Sequence, residues 1–247
     1  MNALPRIEVL VFEGCPNAER ALELVRRVAG ALVPGAVIDR VEVDSPGKAL
    51  AVEFLGSPSI RVNGVDVEGK RAAAGAIGCR LYEGGGGVGV PPEWMVEAAI
   101  LRALEPRDVL FLCVGNSARS QMAEGIARSL APAGVRVSSA GSEPTPVKPE
   151  AIAVLREIGI DISHHRSKRV ASLPDAEMVD TVVTLCADEV CPLFLRRVRR
   201  VHWALPDPAA APDGEAARRA AFRAVRDELR RRLSVLFAGG APQEEPP

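Results

Sequence analysis

Neither sign of charge prevails in this chain of 247 residues, where 31 Lys and Arg stand against 32 Asp and Glu for a formal net charge of −1. Up to residue 104 there are 11 basic and 13 acidic residues, and beyond it 20 and 19. Both halves therefore lack the basic excess expected of a nucleic-acid binder. No apolar run approaches the roughly 18–20 residues of a membrane span. The opening stretch, MNALPRIEVLVFEGC, has none of the segments of a secretory signal. The expectation is a soluble, cytoplasmic protein with no nucleic-acid or membrane partner.

Cysteine and histidine are scarce too. The five cysteines are Cys15, Cys79, Cys113, Cys186 and Cys191, and the three histidines are His164, His165 and His202. An odd, sparse set argues against a disulfide framework. No pair of short Cys/His clusters has zinc-like spacing, so neither metal nor cofactor is expected. His164 and His165 are adjacent, their side chains diverge, and they read as surface residues. What remains for each cysteine is a choice between a buried, inert thiol and a reactive one.

With 47% hydrophobic residues the chain can fill one large core or two ordinary ones. Apolar and turn patterns predict a strand over 6–13, a helix over 16–32, a strand over 37–43 and a helix near 47–55. GSPSIRVNGVDV at 56–67 reads as a hairpin with an Asn-Gly turn, EGGGGVGVPPE at 83–93 as a loop, and a further helix ends near Leu104. EPRD at 105–108 is a linker, which divides the chain into domains 1–104 and 107–237. In the second domain a strand, VLFLC, is followed by a helix over 119–131, a strand over 135–139 and a helix over 149–158. Strands at 180–186 and 199–203 and a helix over 214–237 complete it. That alternation implies an α/β fold on a doubly wound parallel sheet. The tail, 238–247, is expected to be disordered.

FLCVGNSARSQMAEG at 111–125 places Cys113 where a strand ends and Arg119 where a helix begins. Either Cys113 is a small core residue, or the loop is a socket for an oxyanion. The backbone N–H groups of Val114, Gly115, Asn116, Ser117 and Ala118 can turn inward, backed by the positive end of the helix dipole. Arg119 adds a fork for two oxygens of a tetrahedral anion. The same field favours a thiolate at Cys113, and Ser120 can donate a hydrogen bond to it. Each element serves a cysteine nucleophile attacking a bound oxyanion. A cysteine six residues before an arginine is a weak signal by itself; its place at a strand-to-helix turn strengthens it.

The stretch CVGNSARSQMAEG is followed in order by SSAG at 138–141, GIDISHHRS at 159–167, VVTLC at 182–186 and HWALPDPA at 202–209. Together they resemble the thioredoxin-coupled type of arsenate reductase built on the low-molecular-weight tyrosine phosphatase fold, over roughly residues 107–237. The resemblance implies arsenate as substrate, held in the 114–119 loop and attacked by Cys113, with Asp207 protonating the departing oxygen. Asp207 alone would read as a turn cap. The resemblance further implies that Cys186 attacks the arsenic adduct, leaving a Cys113–Cys186 disulfide, and that Cys191 then moves it to Cys186–Cys191. In an intact helix residues five apart are separated by roughly 7.5 Å in rise. Segment 186–191 must therefore be a loop or unwind on oxidation, since bridged Cα atoms lie within about 7 Å. Arg166 and Lys168 stand where a potassium-binding branch of the family has oxygen ligands, which argues against bound potassium. Ala209 follows Asp207-Pro208 where phosphatases of this fold usually have tyrosine. The alternatives are a low-molecular-weight tyrosine phosphatase, which would leave turnover independent of Cys186, and an arsenic-binding sensor or carrier.

In the first half, FEGCPNA sets Cys15 at another strand-to-helix turn, where the helix N-terminus favours a thiolate. With GSPS at 56–59 the element order resembles the thioredoxin fold, although Ala18 stands where thioredoxins carry their second cysteine. Cys79 is the other thiol of this half and the candidate resolving partner of Cys15 across the fold. The domain is read as a built-in reductant working with, or in place of, a thioredoxin or glutaredoxin-type donor. A thiophilic-metal capture site made of Cys15 and Cys79, and a plain packing domain, are the competing readings.

Overall fold

The computed structural model describes residues 3–69, 77–83, 89–187, 194, 196–211 and 214–238. Cys191, the glycine run at 84–88 and the tail from 239 onward lie outside the described residues, and the expectations placed on them lie outside as well. The chain divides into two compact units, Met1–Glu105 and Pro106–Pro247. Among the described residues no helix is long and apolar enough to cross a membrane.

The first unit runs β1 (Ile7–Val11), α1 (Ala18–Leu32), β2 (Ile38–Glu42), α2 (Pro46–Ala51), β3 (Ser59–Val62), β4 (Val65–Asp66) and α3 (Glu93–Ala103). Its sheet has the order β2-β1-β3-β4, with β1 parallel to β2 and antiparallel to β3. Parallel pairing of β1 and β2 needs a crossover, which α1 supplies by burying Ala21, Leu22, Val25 and Val28. The β3–β4 hairpin turns at Asn63 and Gly64, whose φ angles of 51° and 78° suit a tight turn twisted like the strands. Helix α2 begins at a Ser45 cap, whose Oγ accepts the Lys48 N–H at 3.3 Å. It stops at Ala51, short of the predicted 55. The Phe54 N–H returns to the Ala49 carbonyl at 2.8 Å, Glu53 takes a left-handed φ of 48°, and Phe54 drops into the core.

The second unit runs β5 (Asp108–Cys113), α4 (Arg119–Leu130), β6 (Arg136–Gly141), α5 (Pro149–Arg156), β7 (Thr181–Thr184), β8 (Arg199–His202) and α6 (Glu215–Leu236). Single 3-10 turns at 170–172, 176–178 and 208–210 fall in stretches without apolar periodicity. The sheet is parallel throughout, in the order β6-β5-β7-β8. Every residue of β5 is buried, as befits a central strand covered on both faces. Phe111 on this strand and Phe222 on α6 are fully buried, each contributing about 1.5–3 kcal/mol. From β5 the chain crosses to β6 on one side and then to β7 on the other. Such a reversal opens a crevice beyond the carboxyl ends of the strands, and Cys113 is the last residue of β5.

Candidate active site

The loop after Cys113 is shaped by what takes its carbonyls. Val114, Gly115 and Ser117 accept hydrogen bonds from the N–H groups of Glu143, Thr145 and Lys148 at 3.0, 2.9 and 2.9 Å. The Asn116 carbonyl accepts from Ser167 Oγ at 2.7 Å and Gln121 Nε2 at 3.1 Å. With its carbonyls taken up in this way, the loop's N–H groups are left for the crevice, in front of α4, whose N-cap Ala118 makes no side-chain capping bond to the first turn. Gly141 makes this possible. It is the register partner of Cys113 across β5–β6, and a Cβ there would lie 2.2 Å from the Val114 carbonyl oxygen.

Cys113 is buried at 2% exposure, and its Sγ lies 2.9 Å from Ser120 Oγ. Behind the pair, Asn116 takes a left-handed φ of 44°, a conformation asparagine tolerates better than most residues. Its Nδ2 donates to Ser120 Oγ and Ser139 Oγ, both at 2.8 Å, and its Oδ1 accepts from the Lys168 N–H at 2.7 Å. The sequence assigns the backbone N–H of Asn116 to the substrate loop; its side chain is a fully buried strut beneath that loop. Gln121 extends the brace, donating to Asn116 Oδ1 and to the Arg166 carbonyl at 3.1 Å each.

His165 closes this chain of bonds. Arg128 can only donate, so His165 Nε2 accepts from it at 3.3 Å, and Nδ1–H donates to Gln121 Oε1 at 2.9 Å. This is a neutral imidazole. Its pKa is pushed down to about 4, chiefly by burial; Glu124 works in the opposite direction, and Arg128 adds to the fall. His164 is exposed as expected, whereas His165 is half-buried, because its backbone follows the buried Ile162 and turns the ring onto α4. Nearby, the buried Glu124 carboxylate accepts from Ser139 Oγ at 2.5 Å and pairs with Arg128 at 2.5 Å and Lys168 Nζ at 3.2 Å. Lys168 thus sets a fixed ammonium against that carboxylate.

A cavity of about 330 Å³ opens over the loop, lined by Cys113, Val114, Gly115, Ser117, Ala118 and Arg119, together with Thr145, Lys148, Asp207 and Ala209. Arg119 is 4% exposed, donates to the Leu205 carbonyl at 3.1 Å and stands 3.8 Å from Asp207 Oδ2. Asp207 also caps its own turn, accepting the Ala209 N–H at 3.1 Å. Cys186 is fully buried, two residues beyond β7. The Leu185 N–H bonds to the Leu112 carbonyl at 2.8 Å, which carries the β5–β7 pairing to the residue before Cys186. Cys15 and Cys79 belong to the other unit. The sequence reading missed Gly141, Thr145, Lys148, Gln121 and His165. SSAG marks only the first, and nothing local says that 143–148 folds back onto the loop.

A thiol, an N–H-bearing loop, an arginine fork and a carboxyl group 3.8 Å from that fork, all lining one cavity, can attack a tetrahedral oxyanion through sulfur and protonate what leaves. That defines a class of cysteine-dependent oxyanion enzymes. The low molecular weight phosphotyrosine protein phosphatase family matches residues 108–244, more than half of the chain, and the chain belongs to that family. An arsenate reductase of Bacillus subtilis (strain 168) is 42% identical over 139 residues, which are 56% of this chain and 99% of the relative. An arsenate reductase of Halalkalibacterium halodurans is 42% identical over 137 residues, 53% of this chain and 96% of its own. A solved arsenate reductase in the phosphate binding state is 34% identical, covers 55% of this chain and 99% of its own, and superposes with a TM-score of 0.46.

Proposed function

We propose that this protein reduces arsenate to arsenite. A phosphatase needs one thiol, and the observation that carries the proposal is a second: Cys186 follows directly on the strand pairing that ends beside Cys113. Adjacent strands lie about 4.8 Å apart, so the two thiols belong to neighbouring strand ends. Relatives at 42% identity named arsenate reductase support the same reading.

Arsenate enters the cavity with its oxygens toward the loop N–H groups and the Arg119 guanidinium. The Cys113 thiolate, accepting the Ser120 hydrogen bond, attacks arsenic and forms an S–As bond. One arsenate oxygen leaves as water, with Asp207 supplying a proton. The Cys186 thiolate then attacks Cys113 Sγ. The S–As electron pair stays with arsenic, which departs as arsenite, and a Cys113–Cys186 disulfide forms. Cys191 attacks Cys186 in turn, frees Cys113 and passes the disulfide to Cys186–Cys191. Lys148 and Thr145 are added to the substrate-contacting set because they line the same cavity.

The first unit is read as a thioredoxin-like domain that serves as a built-in thiol donor beside thioredoxin or glutaredoxin-type partners, in a reducing cytoplasm that keeps such thiols reduced. The sheet order β2-β1-β3-β4 and the placement of Cys15 between β1 and α1 support this. The test is multiple-turnover arsenate reduction with Cys113→Ser and Cys186→Ser, followed by mass mapping of disulfides after one turnover. Both variants lose turnover under this reading. A phosphatase keeps its turnover without Cys186, and a sensor keeps its arsenite affinity without Cys113.

A further inference from the structure

We infer that the hydroxyl groups of Ser117 and Thr145 hold one oxygen of the bound oxyanion in its protonated form, so that the cavity is built for anions that carry a hydrogen. The inference deepens, and rests on, the reading of the cavity as an oxyanion site. It adds which form of the anion is taken and which side chains recognise it.

The two hydroxyls stand beside Gly115. The point where a Cβ on Gly115 would stand is 3.0 Å from Ser117 Oγ and 3.2 Å from Thr145 Oγ1, so the missing side chain leaves a notch bordered by both oxygens. Two backbone bonds fix its walls. The Thr145 N–H donates to the Gly115 carbonyl and the Lys148 N–H to the Ser117 carbonyl, each at 2.9 Å, which straps segment 145–148 along the loop. Gly115, Ser117 and Thr145 all line the cavity that Cys113 also lines.

The neighbouring hydroxyls are already committed. Ser120 Oγ lies against Cys113 Sγ and accepts from Asn116, Ser139 Oγ joins Asn116 to Glu124, and Ser167 Oγ serves the carbonyls of Asn116 and Thr145. Ser117 Oγ and Thr145 Oγ1, by contrast, have no hydrogen-bond partner among the described residues. Ser117 is only 8% exposed, and a polar group so nearly buried calls for a partner. An oxyanion in the cavity supplies one.

The chemistry of the lining decides what that oxygen carries. Backbone N–H groups, the Arg119 guanidinium and the Lys148 ammonium can only donate, whereas a hydroxyl donates or accepts. The carbonyls of residues 114–117 are taken up elsewhere, and Asp207, 3.8 Å from Arg119, serves the departing oxygen. A hydrogen on an oxygen that stays therefore finds its acceptor at Ser117 or Thr145. Arsenate and phosphate carry hydrogen near neutral pH, and sulfate carries none. Reduction enlarges the need. The hydrogen arsenate dianion, two thiols and two further protons give arsenous acid, water and one disulfide, arsenic gaining the two electrons that the thiols lose. Every retained oxygen ends protonated. A hydroxyl follows that change by turning from donor to acceptor, which an N–H group cannot do.

The test measures anion binding alone, by calorimetry of the reduced full-length protein with sodium phosphate and with sodium sulfate at matched ionic strength. Ser117→Ala with Thr145→Val should weaken phosphate about tenfold or more, because the anion's hydrogen is then buried without an acceptor. Sulfate loses only donors and should weaken about threefold or less. Thr145→Ser should restore what Thr145→Val alone loses, and Gly115→Ala, which fills the notch, should weaken both anions. Neither hydroxyl is bonded to another described residue, so the urea midpoints of Ser117→Ala and Thr145→Val should match that of the unaltered protein. Thr145 is exposed, and Thr145→Val alone carries the test if a loop variant does not fold. Unchanged phosphate binding, or equal weakening of phosphate and sulfate, overturns the inference. An unaltered protein that binds neither anion overturns the oxyanion site itself and the inference with it. Since no turnover is measured, failure of the notch leaves arsenate reduction standing, and failure to reduce arsenate leaves the notch.

Discussion

Gly141→Ala should damage catalysis far more than it damages the fold. A Cβ at residue 141 would lie 2.2 Å from the Val114 carbonyl oxygen and 2.9 Å from both the Asn116 nitrogen and the Cys113 carbonyl oxygen. The first contact is roughly 1 Å short of an ordinary non-bonded separation. All three opposing atoms are backbone, so no side chain can turn aside. Either β6 retreats from β5 or the 114–118 loop shifts by about the missing distance. Overpacking of this kind costs about 1–3 kcal/mol, whereas misplacing reacting groups by about 1 Å costs roughly 10²-fold in rate. The expected result is a fall of about 100-fold in kcat/KM for arsenate with a parallel weakening of phosphate inhibition. Urea unfolding should show a loss of about 2 kcal/mol. Gly134→Ala is the control. Its φ of 88° makes alanine unfavourable, yet a Cβ there meets nothing within 4 Å. It should lose about 1–2 kcal/mol with wild-type kcat/KM. Wild-type phosphate inhibition and kcat/KM in Gly141→Ala, or equal kinetic losses in the two variants, would refute the reasoning.

Asp207→Asn keeps the turn cap but removes the acid, so kcat should drop by about 10²–10³ with little change in KM; a purely structural Asp207 would show as lost stability at unchanged kcat. Lys148→Ala removes a cation from the cavity wall and should raise KM for arsenate about tenfold while sparing kcat, with Lys148→Arg restoring affinity. A lowered kcat at unchanged KM would assign Lys148 to the chemical step instead. The His165 pKa lies near 4 in the folded chain and near 6.5 when unfolded, so between those values the unfolded chain binds the extra proton. Stability is therefore complete above about pH 6.5 and falls as the pH drops toward 4. Urea titrations across that window should show the slope, and His165→Gln should flatten it; an unchanged slope would point to another group.

The sequence by itself determined whatever is written locally. The stretch from Cys113 to Ser120 carries its own strand end, its turn and the start of its helix, so the thiol and the arginine fork were legible without coordinates. Element order and the parallel character of the second sheet followed from the alternation of apolar periods. Tertiary structure decided what meets the loop from elsewhere. Gly141 matters because the register sets it opposite Cys113; Lys148 and Thr145 matter because their N–H groups take the loop's carbonyls. His165 reaches the loop through Gln121 and Asn116, and Ser57, the bridge partner of Cys79, takes the Phe12 N–H just before the Cys15 turn. The physical reason is common to all of them. Propensity and hydrophobic period act between near neighbours in the chain, whereas register, close backbone approach and buried hydrogen bonds join residues dozens of positions apart and exist only once the sheets have formed.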